Sequence, residues 1–86
     1  MSNQTITVYE KTSSYCGACV MTKRKLDQLG HDYKVEAIED QSPEWLQGHK
    51  DAGRLAAPIV VVDYPSGGSI EWSGFRVDLL DGLEVR

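Results

Sequence analysis

The sequence predicts an α/β fold, a mixed four-stranded sheet flanked by three helices in the order βαβαββα. Three observations carry this. Short β-branched or alternating runs at residues 5–9, 33–38, 59–63 and 69–72 read as strands. The first two strands are each followed by a stretch with helical period and its own start and stop residues. A Tyr64-Pro65-Ser66-Gly67-Gly68 turn then joins the last two strands as a hairpin.

In chain order, Thr5-Ile6-Thr7-Val8-Tyr9 alternates and reads as the first strand. Lys11-Thr12-Ser13-Ser14-Tyr15 is a polar loop. From residue 17 to about 29 the period becomes helical, with Cys19, Thr22, Leu26 and Leu29 on one face and Gly30 ending it. Tyr33 to Ile38 alternates again. Ser42-Pro43-Glu44 gives a cap, an N1 proline and a first-turn acid, so a second helix runs to about Ala52 and stops at Gly53. Ile59-Val60-Val61-Val62-Asp63 is almost wholly apolar, as expected of an inner strand covered on both faces. Ser69-Ile70-Glu71-Trp72 is its hairpin partner. A third helix is expected from about Gly74, capped by Ser73, with Phe75, Leu79, Leu80 and Leu83 facing inward.

The 86 residues, 41% of them hydrophobic, suit one small domain over 1–86 with a modest core. No apolar run approaches the ~20 residues of a membrane span, and no leader pattern opens the chain. A cytoplasmic monomer without membrane association is expected. Net charge is 9 − 13 = −4. A general nucleic-acid binder would be basic, so no nucleic-acid partner is expected. Lys23-Arg24-Lys25 is the one positive cluster; it reads as a solvated helix face, with contact to an acidic partner as the alternative.

Cys16-Gly17-Ala18-Cys19 holds both cysteines of the chain. The pair falls between the first strand and the first helix. Free backbone N–H groups and the helix dipole favour a thiolate there, and the thiolate is the species that attacks disulfides. Cys16 would sit exposed at the helix edge. Cys19, on the same side of the first turn, could close the ring. A bridge closing so short a loop constrains little, so a structural staple is the weaker reading. A zinc module is the rival from another class, with His31 and His49 completing four ligands. The two histidines are widely separated, whereas zinc motifs set their second ligand pair a few residues apart. His31 reads as a turn residue and His49 as lying on an exposed helix face. No metal and no cofactor are expected.

Pro58 at a strand start loses no ladder hydrogen bond. Trp72 could be a core aromatic, Ser73 a helix cap, and Phe75 a packing residue.

A Cys-X-X-Cys pair at the first strand–helix junction, in this element order, resembles the thioredoxin/glutaredoxin fold. Trp72-Ser73-Gly74-Phe75-Arg76 before a short last helix is similar to the matching motif of NrdH-type redoxins. Thr22-Lys23-Arg24 and Ala57-Pro58-Ile59-Val60 add to the likeness, which spans nearly the whole chain. The resemblance implies a dithiol–disulfide oxidoreductase. Such a protein is reduced by NADPH-dependent thioredoxin reductase rather than glutathione, and it passes electrons to class Ib ribonucleotide reductase. It implies catalytic Cys16 and Cys19, and partner contacts at Ala57, Pro58, Trp72, Ser73, Gly74, Phe75 and Arg76. It also implies a cis peptide before Pro58, with the Ala57 backbone free to pair with a substrate strand. Glutathione is disfavoured because bulky groups flank Gly74 where glutaredoxins carry a glycine pair. A glutathione- or mycothiol-dependent glutaredoxin is the alternative. The chain departs from the NrdH pattern at Gly17-Ala18, at Ala57, at Val77 and in a longer loop before Cys16.

Overall fold

The computed structural model describes residues 4–83. Strand β1 (Thr5–Glu10) leads through an exposed loop into helix α1 (Gly17–Leu29). Strand β2 (Lys34–Ala37) follows, then a 3₁₀ turn (Ile38–Asp40), helix α2 (Pro43–Asp51), strands β3 (Ile59–Asp63) and β4 (Ser69–Ser73), and helix α3 (Val77–Asp81). The sheet order is β2-β1-β3-β4. β1 pairs parallel with β2 and antiparallel with β3, and β3 pairs antiparallel with β4. This is the expected mixed sheet with three helices.

Register decides which residues share a face. Ile6 lies opposite Val62, Val8 opposite Val60, and Val60 in turn opposite Trp72. These side chains are buried with Leu26 of α1 and Leu80 and Leu83 from the α3 region, forming one core. Each fully buried Val or Leu contributes about 1.5–3 kcal/mol relative to exposure. The opposite face carries Thr7, Tyr9, Val61 and Glu71 and is partly covered by α2, through Trp45 on Tyr9 and His49 beside Glu71. Tyr9 and Trp45 rings lie 4.5 Å apart, and Trp45 and His49 rings 4.3 Å apart.

The helix ends follow their sequences. Gly30 takes φ 79° at the end of α1, a left-handed conformation that a side chain resists. Ser42 caps α2 by accepting from the Trp45 N–H at 3.1 Å, with Pro43 in the first turn. Lys23 and Lys25 are not simply solvated. Lys23 pairs with Glu10 of β1 at 2.7 Å and Lys25 with Asp81 of α3 at 3.1 Å, so both tie α1 to its neighbours.

Three expectations are corrected. α3 begins at Val77 rather than near Gly74, and Ser73 does not cap it. Ser73 is still in the sheet, opposite Ile59, and Gly74 then turns at φ 81°. The second strand ends at Ala37, and Ile38 belongs to the 3₁₀ turn. His49 is 5% exposed rather than on an open helix face. Its Nδ1 accepts from Arg54 Nε at 2.7 Å, and Glu71 lies 3.7 Å from Nε2.

Candidate active site

Cys16 is the N-cap of α1, with extended backbone at φ −126° and ψ 97°. Its Sγ accepts from the Cys19 N–H at 3.2 Å. A helix leaves its first N–H groups without partners, and an N-cap side chain serves one of them. Here that side chain is a sulfur, so the donor that holds it in the disulfide would hold a thiolate after reduction. The Cys16–Cys19 disulfide closes across a Cα–Cα distance of 5.3 Å. Its two ends differ. Cys19 is 2% exposed and lies on the core side of the helix, whereas Cys16 is half-buried and reachable.

The Ala57–Pro58 peptide is cis. Pro58 is fully buried and its carbonyl accepts from the Gly74 N–H at 2.8 Å. This bond, with the Ile59–Ser73 pairing, brings the segment before β3 against the corner after β4. The Ala57 N–H and C=O have no hydrogen-bond partner among the described residues. A cleft of about 450 Å³ is lined in part by Ala57. Its walls include Lys11 and Ser13 from the loop before Cys16, Glu39 from the 3₁₀ turn, and Leu55 and Ala56 beside Ala57. Tyr15 and Leu55 are 85% and 76% exposed.

The other motif residues are placed unevenly. Trp72 is 4% exposed within the core, so its side chain adds no bulk to the surface of the corner. Phe75 is partly buried against that core. Ser73 and Gly74 form the corner itself. Arg76 is exposed and holds Asp78 through bonds of 3.1 and 2.8 Å. Hydrogen bonding to Arg76 keeps the Asp78 carboxyl below its usual range.

Two features escaped the sequence. The Glu39 carboxylate accepts from the Ser13 N–H at 2.9 Å, from the Thr12 N–H at 3.0 and 3.1 Å, and from Thr12 Oγ1 at 3.0 Å. With its own backbone N–H the largest contributor, this donor set lowers the carboxyl to about 2. Separations of 26 and 27 residues leave no local signal for it. The second is the Trp45–His49 ring contact with Arg54 hydrogen-bonded to His49. Burial and then the Arg54 charge push the His49 imidazole below its ordinary range, with Glu71 opposing. Trp45 and His49, four apart on a helix, were a readable clue to a covered face. Among the described residues, no three His, Cys, Asp or Glu side chains converge as metal ligands. No helix among them is long and apolar enough to cross a membrane.

Comparison with known proteins agrees with this geometry. The glutaredoxin family model matches residues 6–64. The glutaredoxin-like protein NrdH of Escherichia coli (strain K12) is 32% identical over 78 residues, 91% of this chain and 86% of the relative. The NrdH of Salmonella typhimurium is 30% identical over the same shares. Among solved structures, the NrdH-redoxin of Escherichia coli superposes with a TM-score of 0.71 at 29% identity, covering 93% of this chain and 95% of that one. That protein is described as glutaredoxin-like with a thioredoxin-like activity profile. Chloroplastic thioredoxin z shares the fold, with a TM-score of 0.58 at 20% identity, over 91% of this chain and 73% of that one. On this scaffold the Cys16–Cys19 disulfide is that of a thiol–disulfide oxidoreductase. The chain belongs to the glutaredoxin family, on its NrdH-type branch.

Proposed function

We propose that this protein is a cytoplasmic, monomeric electron carrier of NrdH-redoxin type. It takes electrons from NADPH through thioredoxin reductase and delivers them to class Ib ribonucleotide reductase. The observation that carries the reading is the asymmetry of the pair: a reachable Cys16 at the helix N-cap and a Cys19 that is 2% exposed. Cys16 thiolate attacks one sulfur of the substrate disulfide, and the other leaves as a thiol after taking a proton. Cys19 then attacks the mixed disulfide and releases the second substrate thiol. Two electrons pass to substrate, and the Cys16–Cys19 disulfide remains for the reductase. The protein needs no cofactor of its own.

The partner strand would lie along Ala57, whose backbone groups are free to pair with any extended peptide. Pro58, Ser73, Gly74, Phe75 and Arg76 would shape its surroundings, with Trp72 supporting the corner from beneath. A flexible cysteine-bearing tail fits such backbone recognition.

The test supplies NADPH with either thioredoxin reductase or glutathione plus glutathione reductase, and follows NADPH oxidation with the oxidised protein as acceptor. Thioredoxin reductase should sustain turnover and glutathione should not. The reverse result would move the protein to a glutathione-dependent role.

A further inference from the structure

Five consecutive exposed residues, Lys11 to Tyr15, connect β1 to the N-cap Cys16. Such a run loses much conformational entropy when it is ordered. Its polar contacts among the described residues all go to one side chain. Thr12 donates its N–H and its hydroxyl to Glu39, and Ser13 donates its N–H. Charge-assisted bonds of this kind are the stronger class. Glu39 stands on the 3₁₀ turn and lines the same cleft as Lys11, Ser13 and Ala57, so its carboxylate ties two of the segments that line the cleft. Beyond Ser13 the loop presents Tyr15, and a Cβ placed on Gly17 would lie 3.6 Å from the Tyr15 ring.

We propose that Glu39 is a positioning residue: by holding Thr12 and Ser13 it pre-forms the cleft wall and the Tyr15 platform on which a peptide substrate docks beside Cys16. Glu39 touches neither sulfur. Its contribution is to substrate binding, because a loop fixed in advance need not be ordered at the expense of the complex. The inference rests on the reductase reading above and adds to it where specificity is set.

The test compares wild type with Glu39→Gln and Thr12→Ala. An amide at position 39 turns an NH₂ toward backbone donors, so it breaks at least one bond. Thr12→Ala removes only the hydroxyl contact. Insulin, a polypeptide disulfide, serves as substrate, with dithiothreitol regenerating the dithiol. For Glu39→Gln the KM should rise about 5- to 10-fold with kcat nearly unchanged, the size expected when a pre-organising ionic contact is lost. Thr12→Ala should show a smaller rise in the same parameter. A fall in kcat at constant KM, or no change, would overturn the proposal.

Amide hydrogen exchange gives a readout independent of activity. Thr12 and Ser13 amides should be protected in wild type and lose that protection in Glu39→Ala, which leaves neither amide its acceptor, while Val8 and Leu26 stay protected and report an intact fold. Equal exchange at Thr12 and Ser13 in both proteins would refute the clamp itself. A wild type that reduces no disulfide would instead overturn the reductase reading and the docking role together, while protected amides would still support the clamp.

Discussion

Trp72 offers a sharp test, because a partner contact and a core residue respond differently to the same two substitutions. The indole is 4% exposed and its Nε1 has no hydrogen-bond partner among the described residues. Truncation to Ala removes a large buried aromatic, which costs about 3–5 kcal/mol. At ~0.05–0.15 kcal/mol per residue, a chain of 86 residues has about 4–13 kcal/mol in total. Trp72→Ala should therefore lower Tm by at least about 12 °C, at ~4–8 °C per kcal/mol. Trp72→Phe removes two carbons and the ring nitrogen. The carbons are worth about 1.6 kcal/mol at ~0.8 per buried group. Against that, an unpartnered buried N–H is removed, which relieves about 1–3 kcal/mol. The two nearly cancel, so Trp72→Phe should stay within about 1 kcal/mol of wild type. Thermal unfolding and insulin reduction are measured on the same samples. Core packing expects Trp72→Phe to keep kcat/KM within about 2-fold. A loss of 10-fold or more at unchanged Tm, equivalent to about 1.4 kcal/mol of transition-state binding, would show that the indole itself meets the partner.

Cys16→Ser should abolish disulfide reduction, whereas Cys19→Ser should accumulate a mixed disulfide that mass spectrometry detects at Cys16. Trapping through Cys19 in the Cys16→Ser protein would reverse the roles. Stability should also fall with acid in two stages. The folded state holds His49 below its ordinary value, so between the two values the unfolded chain binds more protons. That contribution is complete above about pH 6.5 and is lost as the pH drops below it. Thermal unfolding from pH 7.5 to 5.5 should show a decline that His49→Gln flattens; an unchanged slope would contradict the buried neutral imidazole. The Glu39 contribution is present above its usual value of 4.5 and is lost as the pH falls toward about 2. Glu39→Gln should remove that lower stage and leave the upper one.

Much of this fold was readable from local pattern. Thr5 to Tyr9 alternates because one face of β1 is buried and the other is only partly covered. Gly30 and Ser42-Pro43 are local devices, and they act where the sequence places them. The start of α3 was not readable. Ser73 is an acceptable cap by type, but the β4 ladder runs through it to Ile59, and Gly74 donates to Pro58, a residue 16 positions earlier. Tertiary pairing overrode a correct local preference. His49 failed for a related reason. α2 has a polar sequence with Gly48 open to solvent, and only the proximity of Tyr9 and Glu71 decides which of its faces is covered. The cysteine pair was readable because its chemistry depends on a short spacing and a helix start. The cleft was not, because its walls come from four separate segments.

The distribution of contacts says why the working end can adapt while the fold holds. The face carrying Ile6, Val8, Val60, Val62 and Leu26 is apolar, continuous and braced by two ion pairs from α1. The end proposed to meet a partner is held by few polar ties. Glu39 holds the loop before Cys16, the Gly74 N–H holds Pro58, and Arg54 is fastened to His49 just ahead of Leu55 and Ala57. Regions with few buried apolar contacts open at lower free energy than the core. Releasing Glu39 or His49 should therefore reshape the cleft without unfolding the sheet. This makes the two acid-sensitive groups separable from the core in experiment: their removal should alter substrate KM and loop exchange, while Leu26 and Val60 amides keep the protection of the intact protein.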